Sequence, residues 1–481
     1  MNIELDAINL KECKGNVIFL YGDEVSDKAL SLHKDEITYV KELREKDKKG
    51  LAIFDRLPYR LYIQNFDSEL PGNESQEQLR RAAADLQLIL SKAEQKEVYV
   101  TGEGVLPEEM IAFVEGLNMS NYRFDKYKTK KDCVLELVHV DERLVKQKDI
   151  DVNTCLWNHV NQCRDWVNEP VMNLNAEQFA DKVAQEAERV GTKCTVLGKG
   201  QIEAMKMGGL LAVNKGSVDE PRFVVLEYHP ADAVNAKPVA LVGKGITYDT
   251  GGLNLKPDDY MQEMKSDMAG AATAASVVMA ATENHLPVWV MAFLPMTDNR
   301  PGFNAYAADD ILTMYDGTTV EVVNTDAEGR LILADAIAYA NQYDPELIID
   351  MATLTGAAVR AIGTYGIAAM QQNAEDAMTL MKIVSNQVYE RIAELPFWKE
   401  YDELVKSDVA DIRNCGTVPE AGAISAGKFL AHFAKAPYIH LDIAGVAYYA
   451  KRESFYGIGA SGYGVRMLYA FLQTYDMLNK K

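Results

Sequence analysis

The sequence predicts an α/β protein of two domains, in which a smaller N-terminal α/β domain precedes a larger domain with a central mixed sheet flanked by helices. Two observations carry this prediction. Short apolar runs alternate with amphipathic stretches along the chain, as in proteins whose strands alternate with helices. The 481 residues also suffice for two or three domains of about 150 residues each.

The first part of the chain has the pattern of a small α/β domain. Residues 17–21 and 98–100 are apolar runs that predict strands, and residues 74–96 carry apolar side chains at helical spacing. The charged stretch 141–151 has little to bury and predicts a linker or the exposed start of a helix. We therefore predict an N-terminal domain over residues 1–145, with a variable or oligomer-forming role, and a catalytic domain over residues 146–481.

Stronger apolar runs follow this boundary and predict strands buried on both faces. Such runs are expected where helices cover both sides of a sheet. The predicted strands are residues 223–226, 239–242, 288–294, 347–349 and 439–443. Two helices rich in small residues are predicted over residues 268–281 and 332–341.

Charge and cysteine content exclude several classes of protein. The 71 acidic and 50 basic residues give a net charge of −21, which opposes binding to nucleic acids. The sequence has no uninterrupted apolar run of about 18 residues and its N-terminus lacks the positive charge of a signal peptide, so we expect neither membrane insertion nor export. The six cysteines lack C-x-x-C spacing and fit a reducing compartment. We expect a cytoplasmic protein.

Charged residues gather where predicted strands give way to loops, which is where sheets of this kind hold their sites. One group follows the strand at 239–242, and the other immediately precedes the helix at 332–341. The charged residues in question are Lys244, Asp249, Lys256, Asp267, Asp326 and Glu328. They are the candidates for chemistry.

Each candidate also has a purely structural interpretation. Thr325 and Glu328 have the spacing of a capping box, and Asp267 has the position of a helix-dipole partner. Lys244 lies between glycines, as a surface lysine in a turn does. A P-loop is excluded, because that motif needs Ser or Thr directly after the lysine and Gly245 stands there.

Taken together, four carboxylates at the ends of apolar segments favour a metal site. Charges near a hydrophobic core are costly unless they are paired, and close carboxylates repel unless cations lie between them. Two divalent ions bridged by carboxylates can share a hydroxide and polarise a carbonyl. An oxygen-rich ligand set without histidine suits Mn or Mg as well as Zn.

Several motifs resemble those of the leucyl aminopeptidase family, also called cytosol aminopeptidases (peptidase family M17). Residues 324–331, Asn-Thr-Asp-Ala-Glu-Gly-Arg-Leu, are similar to the signature octapeptide of the family. Residues 243–252, 352–357 and 440–445 match other family motifs in the same order. Residues 298–304 are more similar to the peptidase B branch.

The resemblance implies a metal-dependent aminopeptidase that releases N-terminal residues from small peptides. A hydroxide bridging two ions, Zn or Mn, attacks the first peptide bond, and the free α-amino group of the substrate binds one ion. Lys256 is implied to stabilise the oxyanion, and Arg330 to hold a bicarbonate ion that acts as general base. The implied metal ligands are Lys244, Asp249, Asp267, Asp326 and Glu328.

The resemblance also implies a side-chain pocket with a preference for leucine and other apolar residues, and assembly as a homohexamer. The implied pocket residues are Met264, Thr353, Leu354, Gly356 and Ala444. Two alternatives stay open, a DNA-binding accessory or regulatory protein and a catalytically silent scaffold of the same fold. The net charge opposes the first, and the complete set of implied ligands opposes the second.

Overall fold

The computed structural model describes residues 1–10, 13, 15–22, 32–57, 59–416 and 418–480. The chain divides into two compact units. The first comprises Met1–Asn161 and Lys451–Gly457, and the second comprises Gln162–Ala450 and Ile458–Lys481. The boundary predicted at residue 145 lies just before the helix Gln147–Asn168, in which this division falls.

The first unit is an α/β structure on a sheet that contains six strands in the described part of the chain. Strands β1 to β6 are Asn2–Asp6, Asn16–Tyr21, Leu51–Asp55, Arg60–Asn65, Glu97–Glu103 and Leu137–Asp141. Their order is β1-β6-β5-β2-β4-β3, and only β3 and β4 pair in antiparallel direction. Helices α1 to α3 are Lys34–Lys46, Gly72–Lys92 and Pro107–Asn121. The strands predicted at 17–21 and 98–100 are confirmed as parts of β2 and β5.

Helix α2 ends four residues before its predicted end at residue 96. Glu94 adopts a left-handed φ of 52°. The amide of Gln95 donates to the carbonyl of Leu90 at 3.0 Å, and the amide of Glu94 donates to the carbonyl of Ser91 at 3.1 Å. This is the hydrogen-bond pattern of a Schellman ending, which normally uses glycine at the left-handed position. The glutamate there hid the helix end from the sequence.

The second unit is built on a mixed sheet of nine strands among the described residues. The strands of this sheet and of a smaller sheet formed by β12, β13 and β17 are β7 Lys193–Leu197, β8 Arg222–Tyr228, β9 Val239–Gly243, β10 Gly245–Asp249, β11 Val290–Asn299, β12 Ile311–Thr313, β13 Thr319–Glu321, β14 Leu347–Ala352, β15 Ile367–Gln372, β16 Ile392–Glu394, β17 Ile412–Arg413 and β18 Tyr438–Asp442. Strands β19 Tyr448–Glu453 and β20 Gly457–Ala460 pair with each other and cross the division between the units. The order of the large sheet is β16-β15-β18-β14-β9-β11-β8-β7, and β10 pairs with β11. The mixed sheet and its five predicted strands are confirmed.

Helices flank this sheet, as the sequence predicts. Helix α4, Gln147–Asn168, spans the division between the units, and the helices that lie wholly in the second unit are α5 Ala176–Val190, α6 Lys199–Ala204, α7 Gly208–Asn214, α8 Asp258–Met261, α9 Ala269–Glu283, α10 Glu328–Ala340, α11 Gly356–Ile362, α12 Glu375–Gln387, α13 Gly422–Ala431 and α14 Val465–Gln473. Both α9 and α10 pack on the central strands β9, β11 and β14. No helix in the described part of the chain combines the length and the apolar character needed to cross a membrane.

Small residues let α9 approach the sheet closely. A Cβ atom on Gly270 would lie 2.0 Å from the carbonyl oxygen of Met351, and one on Gly243 would lie 2.5 Å from the Cα of Ala271. Both distances are shorter than any real contact, so only glycine fits at these positions. Strands β9, β11, β14 and β18 and the short strand β10 run parallel, and their carboxyl ends therefore meet at one edge of the sheet.

Candidate metal centre

This edge of the sheet carries the candidate residues. Lys244 follows β9, Asp249 ends β10, and Thr353 follows β14. Asp267 closes the short turn just before α9, and Glu328 is the first residue of α10. Their placement follows from the parallel strands, because each strand delivers its next loop to the same edge.

Lys244 is at the centre of a buried ion-pair cluster. Its Nζ lies 2.7 Å from both carboxylate oxygens of Asp267 and 3.0 Å from Oε1 of Glu328. It also donates to the carbonyl oxygen of Thr353 at 3.1 Å, and the hydroxyl of Thr353 donates to Asp267 at 2.7 Å. Lys244 is only 3% exposed, so the interpretation as a surface lysine is wrong.

Lys256 pairs with the remaining two carboxylates. Its Nζ lies 2.7 Å from Oδ2 of Asp249 and 2.6 Å from Oδ1 of Asp326. The two lysines therefore divide the four carboxylates between them. In a protein without ions, these pairs offset part of the repulsion among the acidic groups.

The carboxylates strongly influence the titration of this cluster. Burial lowers the pKa of Lys244 and of Lys256, but the surrounding carboxylates outweigh burial and raise both pKa values above the ordinary value. Burial raises the pKa of Asp267 well above its usual range. Burial, with repulsion from Asp249 and Glu328, raises the pKa of Asp326 to about 6. A bound cation would stabilise these buried carboxylates, because it would offset their excess negative charge.

The donor set fits divalent cations. One ligand atom each from Asp249, Asp326 and Glu328 lie within 4.8 Å of one another. Oε2 of Glu328 is buried and accepts no hydrogen bond from any described residue. A buried carboxylate oxygen without a donor is costly, and a metal ion satisfies it. The structure thus brings Asp249, Asp326 and Glu328 together, and Lys244 contacts both Glu328 and Asp267.

Arg330 lies on the first turn of α10 and is buried. Its Nη1 donates to the carbonyl oxygen of Asn414 at 2.7 Å, and its Nε has no hydrogen-bond partner among the described residues. Burial lowers the pKa of the guanidinium. A buried cation with a free donor is chemically suited to a small anion.

Asp442 organises the two loops that carry the predicted pocket residues. Its Oδ1 accepts the amide of Leu354 at 3.2 Å and that of Ala444 at 3.1 Å, and its Oδ2 accepts the hydroxyl of Thr355 at 2.7 Å. Gly356 begins α11 beside them, and Met264 opens the turn that ends at Asp267. Leu354 and Ala444 are therefore held next to each other by one carboxylate.

The capping-box interpretation of Thr325 is wrong. Helix α10 begins at Glu328 with Ala327 as its N-cap and has no side-chain cap. The hydroxyl of Thr325 instead donates to the carbonyl of Gly251 at 2.6 Å and accepts the amide of Asn254 at 2.8 Å. Thr325 thus joins the two loops that carry Asp249 and Asp326.

Sequence reasoning missed the polar residues that support these loops. The side chain of Asn299 donates to Asp249, that of Asn254 accepts the amide of Thr325, and the hydroxyl of Tyr306 donates to the carbonyl of Thr325 at 2.7 Å. The sequence pattern that could have predicted Asn299 is a polar residue at the end of an apolar strand. Asn254 and Tyr306 lie in loops, where no such pattern distinguishes them.

A cluster of carboxylates and lysines at the carboxyl edge of a mixed α/β sheet provides the ligands that a metal-dependent hydrolase needs. The catalytic-domain model of the cytosol aminopeptidase family matches residues 161–469, which is more than half of the chain. The chain belongs to the cytosol aminopeptidase family. It is a metal-dependent aminopeptidase, as the sequence motifs predict.

Individual relatives agree with this assignment. The chain is 42% identical over 378 residues to a probable cytosol aminopeptidase of Geobacter sulfurreducens, covering 77% of this chain and 76% of the relative. It is 44% identical over 385 residues to one of Chlorobaculum tepidum, covering 76% of each. Among solved structures, the bottromycin maturation enzyme BotP in complex with Mn superposes with a TM-score of 0.85 at 27% identity, covering 96% of this chain and 99% of BotP.

Proposed function

We propose that this aminopeptidase holds two divalent ions, Zn or Mn, in its carboxylate cluster and releases leucine and other apolar residues from the N-termini of small peptides. The observation that carries the proposal is the approach of Asp249, Asp326 and Glu328, whose ligand atoms lie within 4.8 Å of one another. Lys244 and Asp267 complete the proposed ligand set. The manganese in the related BotP structure supports a metal of this kind.

When bound, two divalent ions supply a Lewis acid for the scissile carbonyl and an activated water as nucleophile. The proposed role of Lys244 requires the neutral amine, whereas the carboxylates alone favour its ammonium form. Lys244 would lose that preference with divalent ions bound in the cluster, because a further positive charge would then be penalised. Metal binding is therefore expected to release a proton from Lys244.

Lys256 is the proposed electrophilic residue. Its Nζ lies 2.7 Å from Asp249 and 2.6 Å from Asp326, and in the metal-free protein the surrounding carboxylates raise its pKa above the ordinary value. A fixed ammonium next to the reacting carbonyl stabilises the negative charge that develops on the oxygen in the transition state. Arg330 would hold bicarbonate, which would supply the general base for proton transfer to the leaving amine.

The proposed side-chain pocket lies in the loops after β14 and β18 and in the turn before α9. Its residues are Met264, Thr353, Leu354, Gly356 and Ala444. Leu354 and Ala444 share Asp442 as their hydrogen-bond acceptor, so their positions are coupled. Apolar and small residues in a pocket favour an apolar substrate side chain.

We propose a cytoplasmic homohexamer, with a variable or oligomer-forming role for residues 1–145 and catalysis in residues 146–481. The six sparse cysteines and the name of the relatives support the location. Sedimentation equilibrium tests the assembly. We expect six times the monomer mass of 53.5 kDa, and a monomer at micromolar concentration would contradict the hexamer.

The activity is tested with aminoacyl p-nitroanilides and metal-stripped protein. We expect no hydrolysis before metal is added, hydrolysis of Leu and Met substrates after Mn or Zn is added, and none of the N-acetyl-Leu substrate. Asp326→Asn is the metal-site variant, and we expect it to need a higher metal concentration for half-maximal rate. Equal rates on free and acetylated substrates would contradict an aminopeptidase.

A further inference from the structure

Asn299 is a buried polar residue that none of the proposed roles uses. It is the last residue of β11 and has no exposed surface. Its side-chain nitrogen donates to Oδ1 of Asp249 at 2.9 Å and to the carbonyl oxygen of Thr325 at 3.1 Å. Its own backbone carbonyl accepts both the amide and the hydroxyl of Thr250, at 3.0 and 2.7 Å. One residue thus joins the loop after β10 to the loop before α10.

We propose that Asn299 is a positioning residue that fixes Asp249 and the backbone next to Asp326 in the geometry that binds metal. This inference rests on the proposed function, because it assigns a purpose to the orientation of two proposed ligands. Asn299 itself touches neither substrate nor metal in this proposal.

The hydrogen bonds around Asp249 support this role. Its Oδ1 accepts two N–H donors, from Asn299 at 2.9 Å and from the amide of Gly251 at 2.8 Å. Its Oδ2 faces Lys256 at 2.7 Å. The two donors on one oxygen fix the rotation of the carboxylate, so that the other oxygen stays directed into the cluster. Hydrogen bonds of this kind to metal-binding carboxylates set their orientation and basicity.

An amide suits this position better than a charged donor. Lysine or arginine would add a positive charge beside a cation site, whereas the amide of Asn299 donates twice without adding charge. Gly252 leaves room for the side chain, because a Cβ atom there would lie 2.8 Å from Oδ1 of Asn299. Asn299 thus bridges the two ligand loops without adding charge, beside the hydrogen bonds that Thr325 makes between them.

The test measures Mn²⁺ affinity of the full-length protein by competition with a fluorescent chelator. Asn299→Ala and Asn299→Ser both remove the bridging amide. The Ser variant keeps a polar side chain and so changes the site less than the Ala variant does. Loss of an orienting partner lowers metal affinity about 10-fold to 100-fold. We expect that loss of Mn²⁺ affinity in both variants. We also expect saturating Mn²⁺ to restore part of the kcat that the variants lose at lower Mn²⁺.

Asn235→Ala is the matched control. Asn235 is also a buried asparagine of the second unit, and its side-chain nitrogen donates to the carbonyls of Lys237 and Trp289, each at 2.8 Å. It lies outside the candidate site, so we expect a loss of stability in urea with unchanged Mn²⁺ affinity. Equal weakening of Mn²⁺ binding in the Asn235 and Asn299 variants would show a merely structural role and overturn the inference.

Asp326→Asn separates this inference from the proposed function. If the wild type binds Mn²⁺, Asp326→Asn weakens it, and the Asn299 variants bind as tightly as the wild type, only the positioning role of Asn299 fails. If the wild type does not bind Mn²⁺, or Asp326→Asn binds it equally well, the proposed metal site itself fails, and the role of Asn299 fails with it.

Discussion

Single residues decide how close the charged groups of the site come to one another. Gly329 lies in α10 directly after Glu328, and its backbone faces the side chain of Lys244. A Cβ atom on Gly329 would lie 2.3 Å from Cε and 2.7 Å from Nζ of Lys244. Glycine at position 329 therefore makes room for the side chain of Lys244. Helix propensity does not explain this glycine, because alanine is the better helix former.

Gly329→Ala is expected to displace Lys244 from Asp267 and Glu328. A misplacement of about 1 Å in a catalytic site costs about 100-fold in rate, and we expect a loss of kcat/KM on this scale with the fold retained. Gly200→Ala is the control, because a Cβ atom at Gly200 in α6 meets no atom within 4 Å. Kinetics with Leu p-nitroanilide and circular dichroism check both variants. Wild-type rates in Gly329→Ala would show that the position of Lys244 does not matter.

Lys256→Ala tests the electrophilic role of this lysine. Removal of a single donor to an oxyanion costs about 100-fold to 1,000-fold in kcat, and we expect a loss in that range while Mn²⁺ stays bound. Lys382→Ala, which removes a surface lysine paired with Glu394 at 2.6 Å, is expected to leave kcat unchanged. Unchanged turnover of Lys256→Ala at full metal occupancy would remove Lys256 from the mechanism.

Whole elements were predicted well where the side chains alone define them. The strands at 239–242 and 347–349 are recovered as β9 and β14 because their residues are apolar without interruption. Helix α10 begins four residues earlier than predicted, at Glu328. The charged residues Glu328 and Arg330 gave its first turn the pattern of a loop, although both are buried in the site. Functional residues thus masked an element boundary.

The candidate site shows the same limit. Its charged residues were predicted because charges between apolar segments are conspicuous and form a known motif. Asn299 and Asp442 were given no role, because their partners lie far away in sequence. Asn299 contacts Asp249 across 50 positions and Asp442 contacts Leu354 across 88. A pattern within one segment carries no information about such contacts, which the sheet topology creates.

Asp335 links helix α10 to two other segments, because its buried carboxylate accepts a hydrogen bond from each of them. On α10, its Oδ2 accepts the amide of Leu210 in α7, and its Oδ1 accepts the amide of Tyr315, both at 2.9 Å. Burial raises the pKa of Asp335 to about 7. Since its unfolded pKa is about 3.9, the folded state binds the proton more tightly. The contribution of this proton to stability is complete below about pH 4 and is lost as the pH rises through 7.

Asp335→Asn removes this titration. Relative to the variant, we expect the wild type to lose unfolding free energy between pH 4 and pH 7, by a few kcal/mol, since one pKa unit corresponds to about 1.4 kcal/mol. Urea unfolding followed by tryptophan fluorescence at several pH values measures the difference. Two parallel stability curves across this range would contradict a raised pKa of Asp335.

The whole molecule carries a large negative charge, and its site adds buried negative charge to it. The net charge is −21, and the four clustered carboxylates face only two lysines. A polyanion such as DNA is repelled by this charge at physiological salt, whereas a divalent cation is attracted. The global charge and the local cluster therefore favour the same kind of ligand.

Metal binding is expected to stabilise the folded protein by mass action. A ligand at 100 times its dissociation constant stabilises by about 2.7 kcal/mol, because only the folded state holds the ligands together. In a domain of this size that energy raises the unfolding temperature by several degrees.

We expect this rise when Mn²⁺ is added to metal-stripped wild type, measured by differential scanning calorimetry. The double variant with Asp326→Asn and Glu328→Gln should lose most of it, because it removes two of the proposed ligands, and Oε2 of Glu328 is a buried oxygen without a hydrogen-bond donor among the described residues. Glu42→Gln on the exposed face of α1 should keep the full rise, since it removes one negative charge outside the cluster. An equal rise in the double variant would place the stabilising ion outside the proposed site.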